Sequence, residues 1–454
     1  MSSNMKNKFA ILITRFPFES QLGGEELHTM HLAEELVRRG HEVTVCTSDS
    51  VLFGLITNGH SKLKNITPSQ DGKRTQKRTE SVPVQTLQTW KTGKVTPPVT
   101  IPSLILFTLL SPLHFLYLGY YLYKFHRQVA KINRDESVNL TQKVLYCLSL
   151  PDKLLMSPIA KLLGFQVVWI EHARIGRSLT LNPWLVFYKL WARFAHIIAP
   201  SKQTAAPIKW APHLHIIPHG TAKQSGAVCP SSAQAVMTTK IPSEAIDLKS
   251  RKNNFEVLCV ARLSQDKGVD YLIFALQKLI NQHHGLAPAK ARNEHSMTST
   301  TASNIHLSIV GEGREKAKLK GLINQNFLDK NVTFVDKVPH EELLKLYEKA
   351  DVVVLPSSEH DPFGLTVLEA MNMNKPVVLT DVCGISEYLE NGVDAIVVPP
   401  KDKNALYQAM NALLINQEFR AEIARNGHET VLKKFSFEKM VDEYERIFTL
   451  NSHC

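Results

Sequence analysis

The residues best placed to do chemistry lie between positions 260 and 370. Asp361 through Glu369, reading DPFGLTVLE, follow an apolar run at Val352–Leu355 and the turn Pro356-Ser357-Ser358. Gly364 opens a predicted helix. The unpaired N–H groups and positive dipole end of a helix start suit a phosphate, so Phe363, Gly364 and Leu365 are candidate phosphate contacts. Glu369 falls about one and a half turns further on. Its carboxylate can accept two hydroxyls, and a ribose offers such a pair. Alone, this stretch reads better as a capped surface helix with a solvated glutamate. It is joined by Val260 through Gly268, VARLSQDKG, which leaves another predicted strand. Arg262 and Lys267 supply a fork and a point charge, two cations able to neutralise a diphosphate. Gly311-Glu312-Gly313 ends the next strand in a tight turn, with room for a flat ring or a close backbone approach. Such turns occur in every fold class.

These residues need a scaffold that collects strand ends. Phe9–Thr14, Glu25–Arg39 and Glu42–Thr47 read as strand, helix and strand, with Gly23-Gly24 breaking the chain before the helix and Gly40 stopping it. Further strands are predicted at Val144–Leu148, Gln166–Ile170, Ile197–Ser201 and His215–Ile217, with a helix over Trp184–His196. The second half alternates more clearly. Strands at Phe255–Ala261, Ile305–Val310, Val332–Val335, Val352–Leu355, Pro376–Thr380 and Ala395–Val398 are separated by helical spacing at Val269–Asn281, Arg314–Asn324, Glu341–Lys349, Gly364–Asn372 and Ile385–Glu390. The alternation implies α/β architecture: two doubly wound, Rossmann-like domains facing a cleft, with ligands at the carboxyl ends of the strands. The expected division is a first domain over 1–222, a linker over 223–253, a second domain over 254–434, and a terminal helix over 435–454 returning toward the first.

Composition sets the bounds. The 454 residues exceed one ordinary core. Lys and Arg number 53 against 42 Asp and Glu, a net charge of +11, which favours anionic partners without choosing among them. The basic excess sits in the insertions with no interleaved aromatics, so nucleic acid is not the expected partner. Six scattered cysteines form no C-x-x-C pair, which fits a reducing, cytoplasmic setting. No carboxylate or histidine cluster has metal-ligand spacing. His28/His31 read as a helix face and His283/His284 as part of an insertion. Residues 52–100 form a basic, polar insertion. From Ser103 to Tyr123 no charged residue occurs. That length could span a bilayer. Strand candidates of one sheet lie on both sides of it, however, so a buried or membrane-surface helix over 101–125 is expected. An anionic membrane surface is therefore admitted as a partner.

Taken together, Arg262, Lys267-Gly268, Gly311-Glu312-Gly313, the 350–357 stretch, the 361–371 motif and Gly384-Ile385-Ser386-Glu387 resemble the donor domain of glycosyltransferase family 4. That is the large retaining group of GT-B fold. The first half is similar in its Gly23-Gly24-Glu25 loop, its Arg39-Gly40-His41-Glu42-Val43 strand start and its Glu171-His172. The likeness fails over residues 52–140, 225–253 and 284–304.

The resemblance implies a hexosyl-type transferase moving sugar from a nucleotide-sugar donor to a glycan or lipid-linked acceptor in the cell envelope. The first domain would be the acceptor side, and the donor is a substrate, with no cofactor and no metal. Asp361 takes the place of the family's first glutamate, beside the donor sugar, and is one methylene shorter. Glu369 binds the ribose, and His172 faces the donor sugar from the first domain. Arg262, Lys267 and the helix starts at Gly24 and Gly364 would stabilise the leaving diphosphate. The alternatives are a nucleotide-sugar epimerase of the same fold, which would need its own acid and base, and a non-catalytic nucleotide-sugar binder.

Overall fold

The computed structural model describes residues 8–15, 24–47, 85–88, 101–134, 140–172, 184–221, 254–284, 304–336 and 338–450. In chain order the first half contributes β1 (Lys8–Arg15), α1 (Gly24–Arg38), β2 (Glu42–Thr47), β3 (Gln85–Gln88), α2 (Ile101–Arg134), β4 (Leu140–Cys147), α3 (Leu150–Leu155), α4 (Ser157–Leu162), β5 (Gln166–Ile170), α5 (Trp184–Trp191), β6 (His196–Ala199), α6 (Lys202–Ala205) and β7 (Leu214–Ile216). Its strands form one parallel sheet, ordered β3-β2-β1-β4-β5-β6-β7. The second half contributes β8 (Asn254–Val260), α7 (Val269–His284), β9 (Asn304–Val310), α8 (Lys316–Gln325), β10 (Val332–Val335), α9 (His340–Lys349), β11 (Val352–Leu355), α10 (Leu365–Asn372), β12 (Val377–Thr380), β13 (Ile396–Val398), α11 (Lys403–Ile415), α12 (Gln417–Lys434) and α13 (Phe437–Thr449). Its parallel sheet runs β10-β9-β8-β11-β12-β13. Both orders reverse beside the first strand of the half, which opens a crevice at the carboxyl ends.

Each sheet is buried on both faces, as parallel sheets must be. In the first sheet one face carries α1 and, from the far end of the chain, α13. Met440, Val441, Tyr444, Ile447 and Phe448 recur at helical spacing and are all buried. At about 2 kcal/mol for a fully buried apolar side chain, that stripe is enough to fix the helix there. Ser436 caps it, its hydroxyl accepting from Lys439 N. The other face carries α2, α3, α4 and α5. Leu118, Leu122, Phe125 and Val129 form a buried stripe on α2, so over 118–125 the apolar segment packs one face on the core while Tyr120 and Tyr123 stay exposed. Among the described residues no helix is long and apolar enough to cross a membrane.

Most predicted elements fall within a residue or two of the observed ones. The departures have local causes. The helix predicted over Trp184–His196 stops at Trp191, because Ala192 and Ala195 enter the core from a turn rather than from a continuing helix. Ile385–Glu390, predicted helical, is a short 3₁₀ stretch over Gly384–Tyr388. His283 and His284 end α7 rather than belonging to an insertion. The edge strand β3 lies inside the predicted insertion; its polar Gln-Thr-Leu-Gln gives no strand signal, yet it pairs with Thr44–Thr47. The rest of 52–100 and the linker at 223–253 lie outside the described residues.

Candidate functional site

The site is built where two turns dock. Gly268 sits at φ +62°, and a Cβ there would lie 2.2 Å from Pro356 O, so only glycine allows the contact. Ser358 N donates to Asp266 O and Ser358 Oγ to Gln265 O, closing the seam. This delivers Lys267 to the 361–364 loop, where its Nζ lies 2.6 Å from Asp361 Oδ2. Ser357 Oγ and Phe363 N also donate to that carboxylate. Burial pushes the Asp361 pKa up, but Lys267 and these donors outweigh it and hold it below the ordinary value. Burial likewise pulls Lys267 down, and Asp361 more than restores it. Both groups therefore stay charged.

Gly364 follows at φ +88° and starts α10 in the left-handed region. The first N–H groups of the helix, beginning at Leu365, have no acceptor within it. Thr366 Oγ1 ties this end to Val260 O at the tip of β8. Further along α10, Glu369 accepts from Tyr347 OH at 2.9 Å. Burial raises the Glu369 pKa against the opposing pull of His340 and Tyr347. Phe363 itself is only 2% exposed. Its ring packs edge-on to His219 and Phe435, while its N–H donates to Asp361 and its carbonyl accepts from Ile385 N. Arg262 is 61% exposed, 4.0 Å from Asp266, at the end of β8.

Of the two readings that their turn allowed, Gly311 and Gly313 show the close backbone approach. A Cβ on either would lie 2.1 Å from Ala261 O or Leu263 O. Leu263 N donates to Glu312 O, and Glu315 N to Leu263 O. The glycines let two strand ends touch on the side where a side chain would stand.

From the first half, His172 stands just beyond β5. Its Nε2 is buried with no hydrogen-bond partner among the described residues. It stacks on His219 at 5.4 Å, and His219 Nδ1 lies 3.0 Å from His28 Nε2. Burial first, then their mutual repulsion, holds all three well below the usual histidine range; Lys153 and Arg15 add to the effect on His172. They are neutral. Glu171, next to His172, is gripped by Lys153 Nζ at 2.7 Å and Tyr188 OH at 2.6 Å, which fixes the end of β5. Gly24 is the first residue of α1. Gly23 lies outside the described residues.

The halves meet beside this loop. Ser201 Oγ donates to Pro362 O, and Lys202 N and Gln203 N at the start of α6 both donate to the Glu387 carboxylate. Among the described residues no group of three or more His, Cys, Asp or Glu is placed to hold a metal ion. Sequence reasoning passed over Tyr347, Ser357 and His219 and treated His28 only as a helix face. The available signal was weak: His219 is a polar residue at a strand end, but Tyr347 merely continues an apolar stripe.

Residues 241–430 match the family model described as Glycosyl transferases group 1. An uncharacterized glycosyltransferase of Methanocaldococcus jannaschii is 31% identical over 194 residues, covering 43% of this chain and 44% of that protein. The alpha-D-kanosaminyltransferase of Streptomyces kanamyceticus is 29% identical over 192 residues, 42% of this chain and 45% of the relative. These matches span less than half of the relatives' length. Among solved structures, Anabaena HepE in complex with UDP superposes with a TM-score of 0.65 at 18% identity, covering 96% of this chain and 99% of that one. WaaG, a glycosyltransferase of lipopolysaccharide biosynthesis, superposes at 0.56 and 15% identity, covering 97% and 99%. The chain has the GT-B fold of these glycosyltransferases, and its residues 241–430 carry the sequence pattern of group 1.

Proposed function

We propose that this protein transfers a hexose from a nucleotide-sugar donor to a glycan or lipid-linked acceptor, with retention of anomeric configuration, at the cytoplasmic face of a membrane. The observation carrying the proposal is the buried Lys267–Asp361 pair set against the start of α10, with Glu369 on the same helix. In this reading Glu369 accepts the ribose hydroxyls and the first N–H groups of α10 take the diphosphate. Arg262 reaches in from the end of β8. Asp361, held by Lys267, accepts donor-sugar hydroxyls, and neutral His172 faces the sugar from the other half. The HepE structures hold UDP and UDP-glucose, so UDP-sugars are the first donors to test.

Breaking the anomeric bond puts negative charge on the departing diphosphate and positive character on the sugar. Fixed cations and helix N–H groups stabilise the first without reorganising. Asp361 is already bound by an ammonium and two further donors, which makes it a weak nucleophile. The acceptor hydroxyl would then approach on the face that the phosphate leaves, giving its proton to a phosphate oxygen. No metal ion or cofactor enters this scheme. Release of nucleotide from UDP-, GDP- and ADP-sugars, with and without lipid extract, tests it. Release from at least one donor, abolished by Glu369→Ala, is expected; no release and no donor binding would overturn it.

A further inference from the structure

The two helix layers on the first sheet differ in charge. The layer of α1 and α13 presents Glu438, Asp442 and Glu443. The opposite layer, α2 through α5, has no exposed acidic side chain among the described residues. Between Ser81 and Ser243 the only acids are Asp135, Glu136, Asp152 and Glu171. The first two lie outside the described residues. Asp152 is buried against Thr14, and Glu171 against Lys153 and Tyr188.

Helix α5 in that layer is apolar on both sides. Tyr188 enters the core, while Val186, Phe187 and Leu190 remain 68%, 44% and 41% exposed. At about 100° per residue these three share one face, with Lys189 at its edge, and Arg193 is exposed in the turn that follows α5. Trp210 adds to the patch, with Lys189 Nζ 5.7 Å from its ring centroid. Single exposed apolar residues mean little, but an apolar face joined by a tryptophan, with Lys189 and Arg193 beside it, calls for a partner.

We propose that this face docks on a bilayer surface with anionic headgroups. The apolar side chains would sit at headgroup depth, with the flanking cations among the phosphates and no carboxylate to repel them. A second copy of the chain is a poor occupant, since it would set cations against cations. On its inner side α5 holds Tyr188, which donates to Glu171, the neighbour of His172. Docking would thus bring the bilayer within one helix diameter, about 10 Å, of the cleft end of β5. The use of that proximity rests on the transfer reading above; the docking itself does not.

The test is flotation of the full chain with vesicles of phosphatidylcholine, with and without phosphatidylglycerol. We expect flotation only with the anionic vesicles. It should weaken at least about tenfold in Val186→Glu/Leu190→Glu and in Lys189→Glu/Arg193→Glu. Thermal unfolding and nucleotide binding should stay unchanged, because these side chains face outward. Flotation with neither vesicle, or variants that float like the parent, would overturn the proposal. So would a concentration-dependent dimer that dissociates in Val186→Glu/Leu190→Glu while nothing floats. Intact flotation without donor binding would strike the transfer reading and leave the docking face standing.

Discussion

Lys267 Nζ and Asp361 Oδ2 stand 2.6 Å apart, with the two side chains 15% and 9% exposed. A buried pair costs most when half of it is removed. Lys267→Ala should destabilise the protein by about 3–5 kcal/mol by leaving a carboxylate stranded. Lys267→Ala/Asp361→Ala should cost less than the sum of the single changes, with a coupling of at least about 1 kcal/mol in urea unfolding. Additive single effects would show that the pair is not coupled. Activity lost in Lys267→Ala therefore has to be compared at matched folded fraction.

The Tyr347 hydroxyl gives Glu369 its only side-chain donor seen among the described contacts. Tyr347→Phe keeps the ring in the core and removes that hydrogen bond. Its worth is about 0.5–1.5 kcal/mol, so nucleotide affinity should fall up to about tenfold by titration calorimetry. Glu369→Ala should lose more. Parent-like affinity in both would remove Glu369 from the nucleotide site.

Burial lowers His28, His172 and His219 well below the ordinary value of 6.5, and His31, through burial and His340, to about 4. The unfolded chain takes protons below 6.5 that the folded chain refuses. The stability from these groups is complete above that value and drains away as the pH falls from 6.5 toward 4. Each contributes a slope of up to about 1.4 kcal/mol per pH unit. Glu34 and Asp152, each raised to about 7 chiefly by burial, act in the opposite sense as the pH rises toward 7, and Glu42 and Glu369, also raised by burial, act the same way. His126, His196 and His215 are lowered as well, so seven histidines outweigh four carboxyls; urea midpoints should drop on acidification, and His219→Asn should flatten the drop. A midpoint that rises or stays level would contradict this assignment.

Much of the fold was legible in the sequence because apolar spacing alone reports strands and helices. Val332–Val335 and Val352–Leu355 were bounded to the residue. β3 was not, since an edge strand of glutamines earns its place only by pairing with β2. In the site, Lys267, Asp361 and Glu369 stood out as a set, in order along the chain with Arg262 and Gly364, and not singly. Their partners did not: Tyr347 and Ser357 reach Glu369 and Asp361 only through tertiary contact. Gly311-Glu312-Gly313 was legible as a turn but not as a seam, because the carbonyls of Ala261 and Leu263 that crowd it come from fifty residues earlier in the chain.

That seam makes a prediction of its own. Gly313→Ala places a Cβ 2.1 Å from Leu263 O, where backbone rather than a yielding side chain must move. Gly321, with nothing within 4 Å of its added Cβ, is the internal control. Gly313→Ala should lower the urea midpoint clearly, while Gly321→Ala, inside α8, should raise stability by about 0.5–1 kcal/mol. Equal effects would mean the seam is looser than its distances state.

Transfer requires that the second half hold a nucleotide-sugar. The direct measurement is the thermal unfolding temperature of the parent protein and of Glu369→Ala across a panel of UDP-, GDP- and ADP-sugars. Ligand that binds only the folded state at about 100 times its Kd adds about 2.7 kcal/mol. A clear rise is expected with at least one donor, diminished or lost in Glu369→Ala. A parent protein whose unfolding temperature does not move with any of them would contradict it.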